Sequence, residues 1–188
     1  MGQVAMIIDD MFEDSEMRVP YDRLTEAGHA VVLVGREGGK LLRGKRGEEM
    51  ITTDEAIGDV SPSQFDALVI PGGYSPDRLR TDERMVALTR ALAQAGKPVA
   101  AVCHAGSLLI EAGLASGRTL TSWESIKTDL INAGARWVDG EVVEDGNLIT
   151  SRKPDDLPAF CAALLRQLDG CIPEPTQCDT QGAHERSC

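Results

Sequence analysis

Cys103 and His104 stand side by side in KPVAAVCHAGSLLIEAGL, where an apolar, strand-like run gives way to the small-residue step Ala105-Gly106-Ser107 and then to a helical pattern. A thiol and an imidazole at such a junction can support nucleophilic chemistry: the sulfur attacks an electrophilic carbon while a neighbouring base manages the proton. A strand-to-helix turn also sets the free N–H groups of the new helix beneath the sulfur. The expected result is a lowered thiol pKa and a larger thiolate fraction. A second reading stays open on spacing alone. Free cysteine often packs as a small hydrophobe, and neighbouring side chains on a strand point to opposite faces, so Cys103 could end a core strand with His104 on the surface.

Two other segments carry groups that such a nucleophile needs. Gly72-Gly73, at the end of FDALVIPGG, offers backbone N–H groups able to approach a reacting oxygen closely, and the N–H of His104 is a further candidate for an oxyanion hole. DDMFEDSEM holds carboxylates at Asp9, Asp10, Glu13, Asp14 and Glu16. Acids favour the first turn of a helix in any case. Pro20, however, cannot donate the helical bond to the carbonyl of Glu16, which marks Glu16 as an irregular spot.

The elements that must position these residues follow from periodicity. Residues 3–8 and 30–35 read as strands, joined by a helix whose face is Met17, Tyr21 and Leu24 and which ends at Gly28. Residues 37–60, broken by glycines at 38, 39, 44 and 47, read as hairpin-like excursions. FDALVI is a buried strand, followed by a helix with Thr81 as N-cap and Met85, Leu88, Thr89 and Leu92 on one face. Residues 98–102 form the next strand and 125–133 a short helix. Asp139-Gly140 and Asp145-Gly146 mark two hairpin turns. Leu157, Phe160, Cys161, Leu164, Leu165 and Leu168 form the apolar face of a last helix, with Pro158 tolerated in its first turn. Strands alternating with helices predict a mostly parallel sheet covered on both faces. One α/β domain spans residues 1–169, and residues 170–188 read as a flexible tail without apolar period.

Composition narrows the function classes. Of 188 residues, 42% are hydrophobic, and the net charge of −11 disfavours nucleic-acid and acidic-membrane partners. The local exception, Arg43 to Arg46 in LLRGKRGEE, meets two glutamates at once. No run approaches the ~20 apolar residues of a membrane span. The first residues lack the basic and apolar regions of a secretory leader. The expected location is the cytoplasm, where five cysteines, an odd number, argue against a disulfide framework. Cys161 reads as core, and Trp137 and Val138 as strand packing. Cys171, Cys178, His184 and Cys188 fit no common zinc spacing, so no metal site is expected.

Four segments in order, FEDSEMRVPYDRLTEAGH, FDALVIPGGYSPDRLR, GKPVAAVCHAGSLLIEAGL and IKTDLINAGARWVDGEVVEDGNLITSR, resemble the PfpI family of the ThiJ/PfpI superfamily, to which the parkinsonism-associated deglycase also belongs. The resemblance covers roughly residues 3–168. It implies a flavodoxin-like three-layer sandwich close to class I glutamine amidotransferase domains. It also implies Cys103 as the nucleophile, His104 beside it, Glu16 as the carboxylate that hydrogen-bonds the sulfur and Glu13 as a second acid. Asp77 matches an acid that orients the histidine across a subunit interface, so a homodimer or higher homo-oligomer is expected. Two departures stand out: Ala105-Gly106 replaces a frequent Gly-Pro, and Trp123 stands where many relatives carry tyrosine, narrowing the pocket. The activity so implied is cofactor-independent conversion of methylglyoxal, or of its early adducts with amines or thiols, by a stress-protective deglycase or glyoxalase III. A cysteine peptidase or amidase and a redox-sensing or chaperone-like stress protein with an oxidisable Cys103 are the alternatives.

Overall fold

QVAMI, ALVI and VAAV are brief runs of small and β-branched residues, too short for stable helices, and all but Gln3 are buried. Strands buried so completely need cover on both faces. The computed structural model, which describes residues 1–170, supplies it. In chain order the elements are β1 (Gln3–Ile7), α1 (Asp14–Glu26), β2 (Ala30–Gly35), β3 (Leu41–Arg43), β4 (Met50–Thr52), β5 (Glu55–Ala56), β6 (Ala67–Ile70), α2 (Ser75–Leu79), α3 (Glu83–Gln94), β7 (Val99–Val102) and α4 (Gly106–Glu111). Then come β8 (Thr119–Leu120), α5 (Lys127–Asn132), β9 (Arg136–Trp137), β10 (Val142–Asp145), β11 (Leu148–Ser151) and α6 (Leu157–Leu168).

Seven strands form one sheet in the order β10-β11-β7-β6-β1-β2-β5. Every pairing is parallel except β10 with β11. Alternation along each strand splits the core in two. On one face Ala5, Ile7, Leu68, Ile70, Val99 and Ala101 meet α3, α4 and α5 through Met85, Leu92, Leu108 and Leu130. On the other, Val4, Met6, Val69, Ala100 and Val102 meet α1 and α6 through Met17, Leu24, Phe160 and Leu164. This is the flavodoxin-like sandwich that the resemblance implies.

Several local features differ from the sequence reading. Asp82, not Thr81, caps α3: its carboxylate accepts from the N–H of Arg84, while the Thr81 hydroxyl donates to the Arg78 carbonyl. Asp139-Gly140 is no hairpin turn, because β9 pairs in parallel with β8 in a separate two-stranded sheet. The second turn does join a hairpin, with Gly146 and Asn147 between the paired Asp145 and Leu148. Residues 37–60 contain the β3–β4 hairpin, and also β5, which joins the main sheet beside β2. Helix α1 runs on through Pro20. Cys171, Cys178, His184 and Cys188, with all of the tail beyond Gly170, lie outside the described residues.

Candidate active site

Strands β7, β6 and β1 are adjacent at the middle of the sheet, and their carboxyl ends deliver Cys103, Gly72-Gly73 and the Glu13–Glu16 segment to one place. Carboxyl ends of parallel strands are where α/β sheets build sites. Cys103 opens a 3-10 turn, Cys103–Ala105, that leads into α4, and its φ is 62°. A non-glycine residue in that left-handed region costs about 1–2 kcal/mol, so the surroundings hold it there.

The environment of the sulfur differs from the sequence expectation of a lowered pKa. Burial, followed by the nearby Glu16 charge, pushes the Cys103 thiol up to about 12, although the N–H groups of His104 and Gly73 act in the opposite direction. The 3-10 turn and the six-residue α4 are too short for a helix field to outweigh desolvation. Glu16 is fully buried, and burial together with the charge of Glu13 raises its pKa to about 8. Its Oε2 accepts from the Gly72 N–H at 2.9 Å. Its Oε1 has no hydrogen-bond partner among the described residues. The Cys103 thiol is close enough for the two groups to shift each other's titration. They therefore lose protons as a unit. Near neutrality Glu16 keeps its proton, and a thiolate beside a protonated Glu16 is one form of the singly ionised pair.

Glycine at 72 and 73 is a steric requirement. A Cβ on Gly72 would sit 2.5 Å from Glu16 Oε2 and 2.7 Å from Cys103 Cβ, which shows how tightly the three segments converge. Gly73 has φ +76°, and a Cβ there would lie 2.4 Å from the Glu13 nitrogen. The 11–13 loop is zipped to this strand end by Glu13 N–H to Gly72 carbonyl and Tyr74 N–H to Met11 carbonyl bonds. Because the Gly72 N–H is committed to Glu16, the donors that face the sulfur are those of Gly73 and His104.

His104 Nδ1 lies 3.2 Å from Cys103 Sγ, and its Nε2 lies 3.1 Å from Ser125 Oγ. Burial, and then Lys45, lower the His104 pKa, so the neutral ring prevails near pH 7. A serine hydroxyl can donate or accept, so Ser125 fits either tautomer of that ring. Asp77, exposed on α2, is not a partner of His104 within the chain, where the ring nitrogens meet Cys103 and Ser125 instead. The Trp123 indole is 41% exposed with its ring centroid 6.5 Å from that of His104. It walls a cleft of about 460 Å³ together with Trp137, Lys127 and Arg152.

Three contributors were absent from the sequence reading. Ser125 belongs to no motif. Lys45 and Arg46, at the tip of the β3–β4 hairpin, both reach Glu13: Lys45 Nζ is 2.5 Å from Oε2 and Arg46 Nε 3.3 Å from Oε1. Asp14 holds that tip in place, its carboxylate accepting from the N–H groups of Arg46, Glu48 and Glu49. The signal was present in LLRGKRGEE, a basic cluster in an acidic chain. Among the described residues, no group of three His, Cys, Asp or Glu side chains is placed to hold a metal.

The arrangement joins a strained thiol, a buried acid that retains its proton, backbone N–H donors and a neutral imidazole, the parts required for attack on a carbonyl. The chain is similar to several known proteins. "Protein/nucleic acid deglycase 2" of Escherichia coli strain K12 is 49% identical over 167 residues, covering 88% of this chain and 97% of that protein. "Putative cysteine protease YraA" of Bacillus subtilis strain 168 is 48% identical over 166 residues, covering 88% and 98%. The crystal structure of Drosophila melanogaster DJ-1beta superposes with a TM-score of 0.83 at 33% identity, over 89% of this chain and 90% of that one. With residues 2–167 matching the family as well, the chain belongs to the DJ-1/PfpI family.

Proposed function

We propose that the protein is a cofactor-independent deglycase or glyoxalase III that acts on methylglyoxal or its early adducts through Cys103. The observation that carries this reading is the convergence of the Cys103 sulfur, the protonated Glu16 and the Gly73 and His104 N–H groups in one buried corner. The name of the E. coli relative supports the same class of reaction. His104 takes the Cys103 proton as the sulfur attacks the aldehyde, an S–C bond forms while the C=O π bond opens, and the oxygen, held by the N–H donors, takes the proton of Glu16. Transfer of the C1 proton to C2, through Glu16 or His104, converts this adduct into a lactyl thioester. Water then releases lactate and restores the thiol. The balance is methylglyoxal plus water to lactate plus a proton, with no external redox partner. Release of an amine from an adduct requires one further proton transfer, for which His104 and Ser125 are suited.

A peptidase reading is favoured by the name of the B. subtilis relative. It requires His104 to protonate a leaving nitrogen, with Asp77 from a neighbouring subunit of a homo-oligomer orienting the ring. In either case the setting would be cytoplasmic. The deciding experiment incubates the reduced protein and Cys103→Ala with methylglyoxal, following aldehyde loss and lactate. Multiple lactate equivalents per site from the intact protein alone support the proposal. Equal inactivity of both proteins overturns it and turns attention to peptide hydrolysis.

A further inference from the structure

The basic cluster at the β3–β4 tip is not used by the chemistry above, yet the fold takes trouble to place it. Asp14 is a buried carboxylate, and burial alone would raise its pKa; four backbone N–H groups, among them those of Arg46, Glu49 and Glu48, lower it instead. Its bonds to the tip measure 2.8–3.0 Å. The Gly44 N–H donates to the Glu49 carbonyl and the Lys45 N–H to the Phe12 carbonyl, so the turn is fixed to the β1 end independently of the Lys45 side chain. Gly44 is pressed against Asp14: a Cβ there would lie 2.2 Å from a carboxylate oxygen.

What this turn delivers is charge. Lys45 and Arg46, with side chains 34% and 59% exposed, share the single carboxylate of Glu13. Of the nearby acids, Glu49 pairs with Arg18 and Asp9 with Arg36, while Asp14 is bonded to the turn's own backbone and Glu48 lies exposed at the turn. Cys103, Glu16 and His104 are neutral near pH 7. Lys45 and Arg46 are thus the two cations that flank Glu13, and Lys45 is the less exposed of the two. The Lys45 pKa is raised, chiefly by its bond to Glu13. Glu13 ties the ammonium to the Cys103 corner, because its own N–H donates to the carbonyl of Gly72, the glycine packed against Cys103. A chain of net charge −11 would otherwise repel anions from its surface.

We propose that Lys45, assisted by Arg46, is a specificity-determining residue that makes the Cys103 site prefer carbonyl substrates bearing a carboxylate or similar negative group beside the reacting carbon over neutral ones of equal size. The inference rests on Cys103 being the reacting group, but not on the fate of methylglyoxal.

Iodoacetate and iodoacetamide make suitable probes, since each alkylates sulfur with loss of iodide and they differ mainly in charge. The reaction of Cys103 itself is followed by peptide mass spectrometry in the full reduced chain, and the iodoacetate-to-iodoacetamide rate ratio is divided by that of a free thiol. In Lys45→Gln the ratio is expected to fall about fivefold, as loss of a nearby, partly screened charge requires. Lys45→Arg should restore it, and Glu13→Gln should raise it. Thermal unfolding of each variant confirms that the fold is kept. An unchanged ratio in Lys45→Gln overturns the proposal. A ratio that moves as stated while no lactate forms upholds the specificity assignment and removes the deglycase reading alone.

Discussion

Glu16→Gln tests the electrostatic account of the site through stability, independently of any substrate. The carboxyl of Glu16 is fully buried and titrates at about 8 in the native protein, against 4.5 for an ordinary glutamate. Below pH 4.5 it is protonated in both folded and unfolded chains and does not affect the balance. Between 4.5 and about 8 the native state binds a proton that the unfolded state has lost, so stability falls as pH rises, and the loss levels off above about 8. One pKa unit corresponds to about 1.4 kcal/mol, which puts the full interval at ~5 kcal/mol. Sharing of the proton with Cys103 reduces this, and the expected loss between about pH 5 and pH 8.5 is about 2–4 kcal/mol. The amide that replaces the carboxyl cannot titrate, though its oxygen can still accept from Gly72. Urea denaturation at several pH values should therefore give a steeper decline for the wild-type chain than for Glu16→Gln, with the variant the more stable at alkaline pH. Parallel curves across the window would refute the raised pKa and, with it, the picture of Glu16 as the proton donor.

Three further substitutions probe separate parts of the arrangement. Gly72→Ala forces its methyl group against Cys103, Glu16 and the Val102 carbonyl; a cost of about 1–3 kcal/mol in denaturant titration should accompany loss of lactate formation. Ser125→Ala leaves stability within about 0.5 kcal/mol but removes the partner of His104 Nε2; kcat should drop roughly tenfold with KM little changed. Asp14→Ala strands the turn's N–H donors and should cost about 2–4 kcal/mol, with faster hydrogen exchange at Arg46, Glu48 and Glu49.

The main architecture was legible because it rests on strong, repeated signals. Fully apolar runs such as ALVI and VAAV left no alternative to buried parallel strands, and the face from Leu157 to Leu168 could hardly be anything but a helix. What escaped is short. β5, β8 and β9 span two residues each, below any period, and α2 has only five, beginning Ser-Pro beside a glycine pair. Thr81 and Asp82 are both of a type that caps helices, and only the fold decides that the carboxylate faces the free N–H. At the site, Cys103, His104, Glu16 and the glycines come together as local chemistry and the family resemblance suggested. The thiol's electrostatics could not be read that way, because burial is a property of the whole sandwich. Ser125 is brought in by the short 3-10 turn Glu124–Ile126, which has no period to read, and Lys45 by a hairpin tip whose basic cluster signals charge but not where it is delivered.

The φ of 62° at Cys103 has an evolutionary consequence. This backbone conformation suits glycine, and the thiol is desolvated as well, so the residue best able to react is among those least suited to its own position. Under relaxed selection, substitution of Cys103 by glycine would be rewarded by a firmer fold, and silent descendants of this lineage should accumulate it. Retention of cysteine there, generation after generation, would measure how strongly selection acts on the thiol itself.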